Sequence, residues 1–209
     1  VTPRQRARKG DGELLREEIL EATERLLVEL GSEELVSIRV VADAVGVTAP
    51  SIYRHFEDKN HLMFSVCERV FARLDDALEA ATAGIEDPVD AMAARGRAYV
   101  RFGVEHPEQY RIMFMGPAQA APEQWGEVIT TGSFAHLMEG IQRVVDAGRM
   151  PPDTDLFEMA LHIWANIHGI TSLLVARPSF PWPELAPFVE RHLQLCMTGV
   201  VLPEPAAAP

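Results

Sequence analysis

The chain has little of what marks secreted, metal-bound or catalytic proteins. Its 209 residues hold two cysteines, Cys67 and Cys196. That is too few for a disulfide scaffold and the spacing is wrong for a zinc site, so a reducing compartment is expected. No Gly-x-Ser-x-Gly elbow, glycine-rich phosphate loop or His-Glu-x-x-His occurs, and enzymatic chemistry, a cofactor and a bound metal are all unexpected. The seven histidines are scattered. His162 and His168 stand six apart and face different sides of a helix, which suits packed histidines better than a shared ion. No alternating strand pattern or internal repeat appears, and only the tail from Pro203, PEPAAAP, reads as low-complexity. No charged-then-apolar leader opens the chain, so the cytoplasm is the expected compartment.

Positive charge is also in deficit, with 19 Lys and Arg against 31 Asp and Glu and a net charge of −12. The deficit is uneven. Residues 1–60 carry nine Lys/Arg against twelve Asp/Glu, and residues 61–209 carry ten against nineteen. Arg4, Arg6, Arg8 and Lys9 all precede the first acid, Asp11, and form a short basic arm able to follow a phosphate strand. Glu17, Glu18 and Glu21 on the following helix should keep nonspecific attraction to DNA weak.

What is present is helix, and one helical corner is specific. In SIRVVADAVGVTAPSIYRHFEDK, residues 37–59, Ser37 can cap a first helix whose Ile38, Val41, Ala42 and Val45 share a face. Gly46 permits the left-handed conformation that ends it, Val47 plugs the corner and Thr48 is placed to cap a second helix. Pro50 falls in that helix's first turn, where a missing N–H costs little, and Ile52 and Phe56 face the core. Thr48, Ala49, Ser51, Tyr53, Arg54 and His55 remain outward, a hydrogen-bonding surface suited to a DNA groove. Asp58 can cap the next helix and place the Lys59 amine at its positive end, where it can clamp a phosphate. A helix-turn-helix that reads double-stranded DNA is the leading expectation.

The same stretch resembles the DNA-binding domain of TetR-family transcriptional regulators, over about residues 13–64. The resemblance rests on Gly46, Val47, Thr48, Ile52, Tyr53, His55, Phe56, Lys59 and Leu62, preceded by the amphipathic segment Ile19, Leu20, Ala22, Leu26 and Leu27 that ends at Gly31. It implies that Tyr53 and Lys59 hold the phosphate backbone while Thr48, Ala49, Ser51 and His55 meet the operator. Ser37 and Arg39, at the start of the first helix, join them as DNA-facing candidates. Pro50 has no amide N–H to donate.

The fold expected is all-α. A flexible arm, 1–12, precedes a three-helix reader, 13–64, a helical effector and dimerisation domain, 65–202, and a disordered tail, 203–209. Body helices are predicted near 58–83, 88–105, 107–115, 123–148, 154–177 and 183–200, between proline- or glycine-containing breaks. Met159 to Ala176 runs eighteen residues without a formal charge, the length of a membrane span, but His162, Asn166, His168, Thr171 and Ser172 argue against one. Ile163, Ile167, Ile170 and Leu174 form an apolar wall, and Ala165, Gly169, Ser172 and Ala176 form a stripe of small side chains. That stripe, with Leu185, Val189, His192, Cys196 and Val200 of the last helix, predicts a homodimer through residues 154–200.

HPEQYRIMF at 106–114 and Trp164-x3-His168-Gly169 resemble the C-terminal domain of a TetR subgroup with a Trp-His-Gly signature. This implies an effector among the central helices. The aromatic and methionine-rich interior suits a small, mainly apolar molecule. Tyr99, Phe102, Tyr110 and Phe114 are lining candidates, as are Trp125, Phe134, Met138, Trp164 and His168. The reading is therefore a dimeric repressor released from an inverted-repeat operator by a small molecule. A helical ligand carrier and an all-α enzyme, neither binding DNA, are the alternatives.

Overall fold

The computed structural model describes residues 11–114 and 132–198, and elements are numbered among these. Helices α1 (Asp11–Leu30), α2 (Ile38–Val45), α3 (Ala49–Ile52) and α4 (Lys59–Thr82) come first, with a 3-10 turn at Glu33–Leu35. Helices α5 (Pro88–Glu105), α6 (Pro107–Phe114), α7 (Gly132–Asp146), α8 (Leu156–Ala176) and α9 (Leu185–Thr198) follow, and no strand occurs among the described residues. These residues form two compact units. Those up to Phe71, with Glu108 to Phe114, form one; those from Ala72 to Pro107, with Gly132 to Thr198, form the other.

The first unit starts and stops its helices with local chemistry. Ser37 Oγ accepts the Val40 N–H at 3.3 Å and opens α2. Gly46 ends it at φ 76°, and the Val47 N–H returns to the Ala42 carbonyl at 2.9 Å. Asp58 Oδ1 accepts the His61 N–H at 2.8 Å, before α4's first free amides. Ile19, Leu20, Val41, Ile52, Phe56 and Leu62 are all buried in one cluster, with Ile112 of α6 packed on it. Burying each large apolar side chain there contributes roughly 1.5–3 kcal/mol, so these contacts hold the corner's angle.

The second helix of the corner is shorter than its sequence suggests. Only Ala49–Ile52 is α-helical. Beyond it the His55 N–H bonds Ile52 three residues back, at 2.9 Å, and the Phe56 N–H shares the same carbonyl at 3.1 Å. This tightening turns Phe56 inward while leaving Tyr53 outside. Thr48 precedes α3 without a side-chain cap bond, its hydroxyl pairing instead with Ser51 Oγ at 3.0 Å.

In the second unit, α7, α8 and α9 all pack on α5. Asp87 caps α5, its Oδ1 accepting from the amides of Val89 at 2.8 Å and Asp90 at 2.9 Å, with Pro88 in the first turn. Met92 of α5 joins Leu137, Ile141, Val144, Met150 and Ala160 in a buried cluster. Along α8 the expected wall faces inward, with Ile167, Ile170 and Leu174 buried and Thr171 between them donating to the Ile167 carbonyl at 2.7 Å. The small stripe faces elsewhere. Ala165 and Ala176 are exposed, and nothing lies within 4 Å of where a Gly169 Cβ would sit. Helix α8 is long and apolar enough to cross a membrane by length and composition; here its wall packs against α5 and α7.

Helix α9 divides differently from the sequence pattern. Val189 and Leu193 are buried, and Gly96 on α5 leaves room for the Leu193 methyls. Leu185 at 36% and Leu195 at 71% exposure are turned outward. Val200 lies outside the described residues.

Candidate functional site

Helices α2 and α3 and the residues flanking them carry the candidates for DNA contact. Ser37, Arg39, Thr48 and Tyr53 are exposed, and Ala49, Ser51, His55 and Lys59 are half-buried. The Thr48–Ser51 hydroxyl pair keeps donor and acceptor capacity for an outside partner, because their bond uses only one of the two hydrogens and one lone pair. Tyr53 stands 52% exposed beyond the end of α3. The Lys59 ammonium donates to the Glu33 carbonyl at 2.7 Å and is held at the start of α4 with two further N–H bonds to offer. Beneath this surface the Phe56 ring is covered by the Arg16 guanidinium, 5.2 Å from its centroid. Of the basic arm expected over 1–12, residues 1–10 lie outside the described residues, and Asp11 and Gly12 already belong to α1.

The expected lining residues fall into both units. Tyr110 and Phe114 belong to the first, where their rings lie 4.8 Å apart and Phe71 meets Phe114 edge-on at 5.3 Å. Tyr99, Phe102, Phe134, Met138, Trp164 and His168 belong to the second. Trp125 lies outside the described residues. Phe134, Met138 and Trp164 are partly buried against the Met92–Ile141 cluster. The Phe102 ring lies 5.0 Å from that of His106.

A polar chain crosses this apolar region. Tyr99 Oη lies 3.2 Å from His168 Nδ1, and His168 Nε2 lies 3.1 Å from Ser172 Oγ, with the Trp164 ring 5.4 Å from the imidazole. Burial pushes the His168 pKa below its usual value, which favours the neutral ring and leaves one nitrogen an acceptor. Such a chain can orient a polar end of an otherwise apolar molecule.

A second polar cluster was not visible in the sequence. Asp75 and Glu79, one turn apart on α4, converge on His136 of α7, 61 residues from Asp75. A cavity of about 90 Å³ adjoins it, lined by Glu79, His136, Arg95 and Arg143 among others. Hydrogen bonding to Asp75 raises the His136 pKa, against a smaller opposing effect of burial.

The cysteines are unsuited to nucleophilic work. Burial, then the charges of Glu68 and Glu33, push Cys67 up to about 12, and burial also raises Cys196. Cys196 Sγ lies 3.3 Å from Asn166 Oδ1 and 3.6 Å from His192 Nε2.

Comparison with known proteins agrees with this architecture at both ends. Residues 19–66 match the family of bacterial regulatory proteins of the tetR type, and residues 92–195 match the tetracyclin repressor-like C-terminal domain. Over 60 residues the chain is 40% identical to the HTH-type transcriptional repressor KstR of Mycobacterium tuberculosis, a stretch covering 29% of this chain and 27% of that repressor. A solved Rhodococcus protein of unknown function superposes with TM-score 0.73 at 25% identity, over 96% of this chain and 99% of that one. The fatty acid degradation regulator FadR of Bacillus halodurans superposes with TM-score 0.72 at 17% identity, over 88% and 98%, a likeness of fold.

The class defined is a helical protein with an amino-terminal helix-turn-helix and a larger carboxyl-terminal helical part. The chain belongs to the TetR family of bacterial regulatory proteins.

Proposed function

We propose that the protein is a cytoplasmic, homodimeric transcriptional repressor that binds an inverted-repeat operator and leaves it when a small, mainly apolar molecule binds. The observation that carries this reading is the corner from Ser37 to Lys59. Its capped α2, left-handed Gly46 and inward Ile52 and Phe56 leave Thr48, Ser51 and Tyr53 toward solvent. Thr48, Ala49 and Ser51 take the base-reading role. Tyr53 and Lys59 take phosphates, with Ser37, Arg39 and His55 at the edges. Repression rather than activation follows the naming of KstR, matched over about a quarter of its length. No catalytic role is assigned.

A single reader covers too short a site for selectivity, and two placed about 34 Å apart reach successive major grooves. The small stripe of α8, exposed at Ala165 and Ala176 and half-buried at Gly169 and Ser172, with Leu185 and Leu195 of α9, supplies the self-complementary surface. The effector occupies the region of Tyr99, Trp164 and His168, with Phe134 and Met138 beside it.

Selection of bound genomic fragments, followed by affinity measurements over a range of salt, tests the reading. The expected result is enrichment of an inverted repeat bound with a steep salt dependence. Uniform weak binding to all fragments would favour a ligand carrier without an operator, and substrate turnover without DNA binding would favour an enzyme.

A further inference from the structure

The cluster on α4 and α7 has the composition and spacing of a cation site. Asp75 and Glu79 sit at positions i and i+4 of one helix, so both carboxylates rise from the same face. His136 comes from a different helix and places Nδ1 3.0 Å from Asp75 Oδ1 and 3.6 Å from Glu79 Oε1. One atom from each of the three lies within 4.8 Å of the others. Ligand bonds near 2.0–2.2 Å set tetrahedral neighbours roughly 3.3–3.6 Å apart, so closing this triangle on an ion needs only small side-chain movements.

Two independent features adjoin the triangle. Glu79 and His136 line the cavity of about 90 Å³, which leaves space for the water an ion with three protein ligands retains. Arg95 lines it as well. Its Nη2 pairs with Glu79 Oε1, and its Nη1 is buried with no hydrogen-bond partner among the described residues. A carboxylate has lone pairs enough to ligate and to accept from arginine together, and ligating carboxylates are usually held in this way. The unpartnered Nη1 leaves a donor beside the cavity for an ion-bound water or anion to satisfy.

We propose that Asp75, Glu79 and His136 bind one divalent transition-metal ion per chain, with Zn²⁺ the best match and a water or small anion as fourth ligand. An imidazole with two carboxylates favours a borderline ion over Mg²⁺ or Ca²⁺, which prefer all-oxygen shells. Ligation through Nδ1 needs that nitrogen without its proton, so a neutral ring carries its proton on Nε2 and an imidazolium gives one up to solvent. The ion replaces one hydrogen bond between α4 and α7 with three metal–ligand bonds. The site is independent of the operator reading.

The test is calorimetric titration of chelator-treated full-length protein with ZnCl₂, with MgCl₂ as a parallel arm and metal content checked after dialysis. Expected are one Zn²⁺ per chain, a raised thermal midpoint with Zn²⁺ and no comparable effect of Mg²⁺. His136→Ala and Asp75→Asn should each weaken Zn²⁺ binding tenfold or more, while His162→Ala, in the exposed pair with Glu158, leaves it unchanged. Circular dichroism confirms that each variant is folded, and Glu79→Gln replaces either one that is not. Absence of Zn²⁺ binding by the unaltered protein at about 100 µM metal, or unchanged binding in the folded ligand variants, overturns the proposal.

Discussion

The Lys59 ammonium and the Glu33 main-chain carbonyl, 26 residues apart, meet at 2.7 Å and tie the start of α4 to the 3-10 turn after α1. Without the lysine, that carbonyl still accepts the Val36 N–H at 3.1 Å. Lys59→Ala should therefore fold, losing about 1 kcal/mol of stability. It should also weaken binding to all DNA fragments alike and lower the salt slope by about one per subunit. Thermal melts with anisotropy titrations at several salt concentrations separate the two effects. An unchanged slope would leave the tie but remove the phosphate contact.

Gly169→Leu is expected to break the proposed dimer while each chain stays folded. Among the described residues no atom outside its own helix turn lies within 4 Å of the position its Cβ would take, so the first atom of the added side chain is accommodated. In a close contact between two α8 helices it would hold them apart. Sedimentation should show monomer at concentrations where the unaltered protein is dimeric, with the helical content retained. A persistent dimer would move the interface off this stripe.

Gly96 is expected to tolerate alanine and reject leucine. A Cβ there would stand 2.7 Å from Leu193 Cδ2, a methyl that can swing away. Its displacement opposes the roughly 1 kcal/mol that alanine gains over glycine within a helix. Gly96→Ala should therefore stay within about 1 kcal/mol of the unaltered protein, while Gly96→Leu should lose about 1–3 kcal/mol by overpacking. Denaturant unfolding measures both. Pairing Gly96→Leu with Leu193→Ala should cost less than the two separate losses combined.

Acid should weaken the second unit through His168. Burial lowers its folded-state pKa below the ordinary 6.5, so the unfolded chain takes the proton first as pH falls. Its contribution is complete above about 6.5 and declines as pH falls through the lower folded value. His136 is shifted the other way, so the comparison needed is with His168→Gln. The stability difference between the unaltered protein and this variant should shrink on acidification below about pH 6.5. A difference independent of pH would show that His168 titrates normally.

Much of the reader was legible because its signals are local. Ser37, Gly46 and Asp58 act on amides a few residues away, and Ile52 and Phe56 follow from helical spacing. The early end of α3 was not, because the inward turn of Phe56 depends on the cluster it enters. Spacing also identifies buried side chains without naming their neighbours. Tyr110 and Phe114, expected among the lining residues, fall in the first unit, where the Phe114 ring meets those of Tyr110 and Phe71, while Tyr99 and Trp164 fall in the second. Val189 was expected outward with Cys196 but is buried on the same side as Leu193, whose methyl lies over Gly96 of another helix. Asp75 and His136 meet across 61 residues, a separation that no local pattern encodes.

Ile112 packs on the core of the helix-turn-helix, and its carbonyl lies 3.8 Å from Cys67 Sγ. The first unit is thus completed by residues made well after its first seventy. At 5–20 residues per second, the ribosome adds that intervening stretch in roughly two to eight seconds. During that interval α1 to α4 exist without α6 against them. A nascent chain stalled before Ile112, or a gene fragment ending near Phe71, therefore yields a reader with an open apolar side, prone to chaperone capture and proteolysis. Full occupancy of an operator begins only with chains that have passed this point.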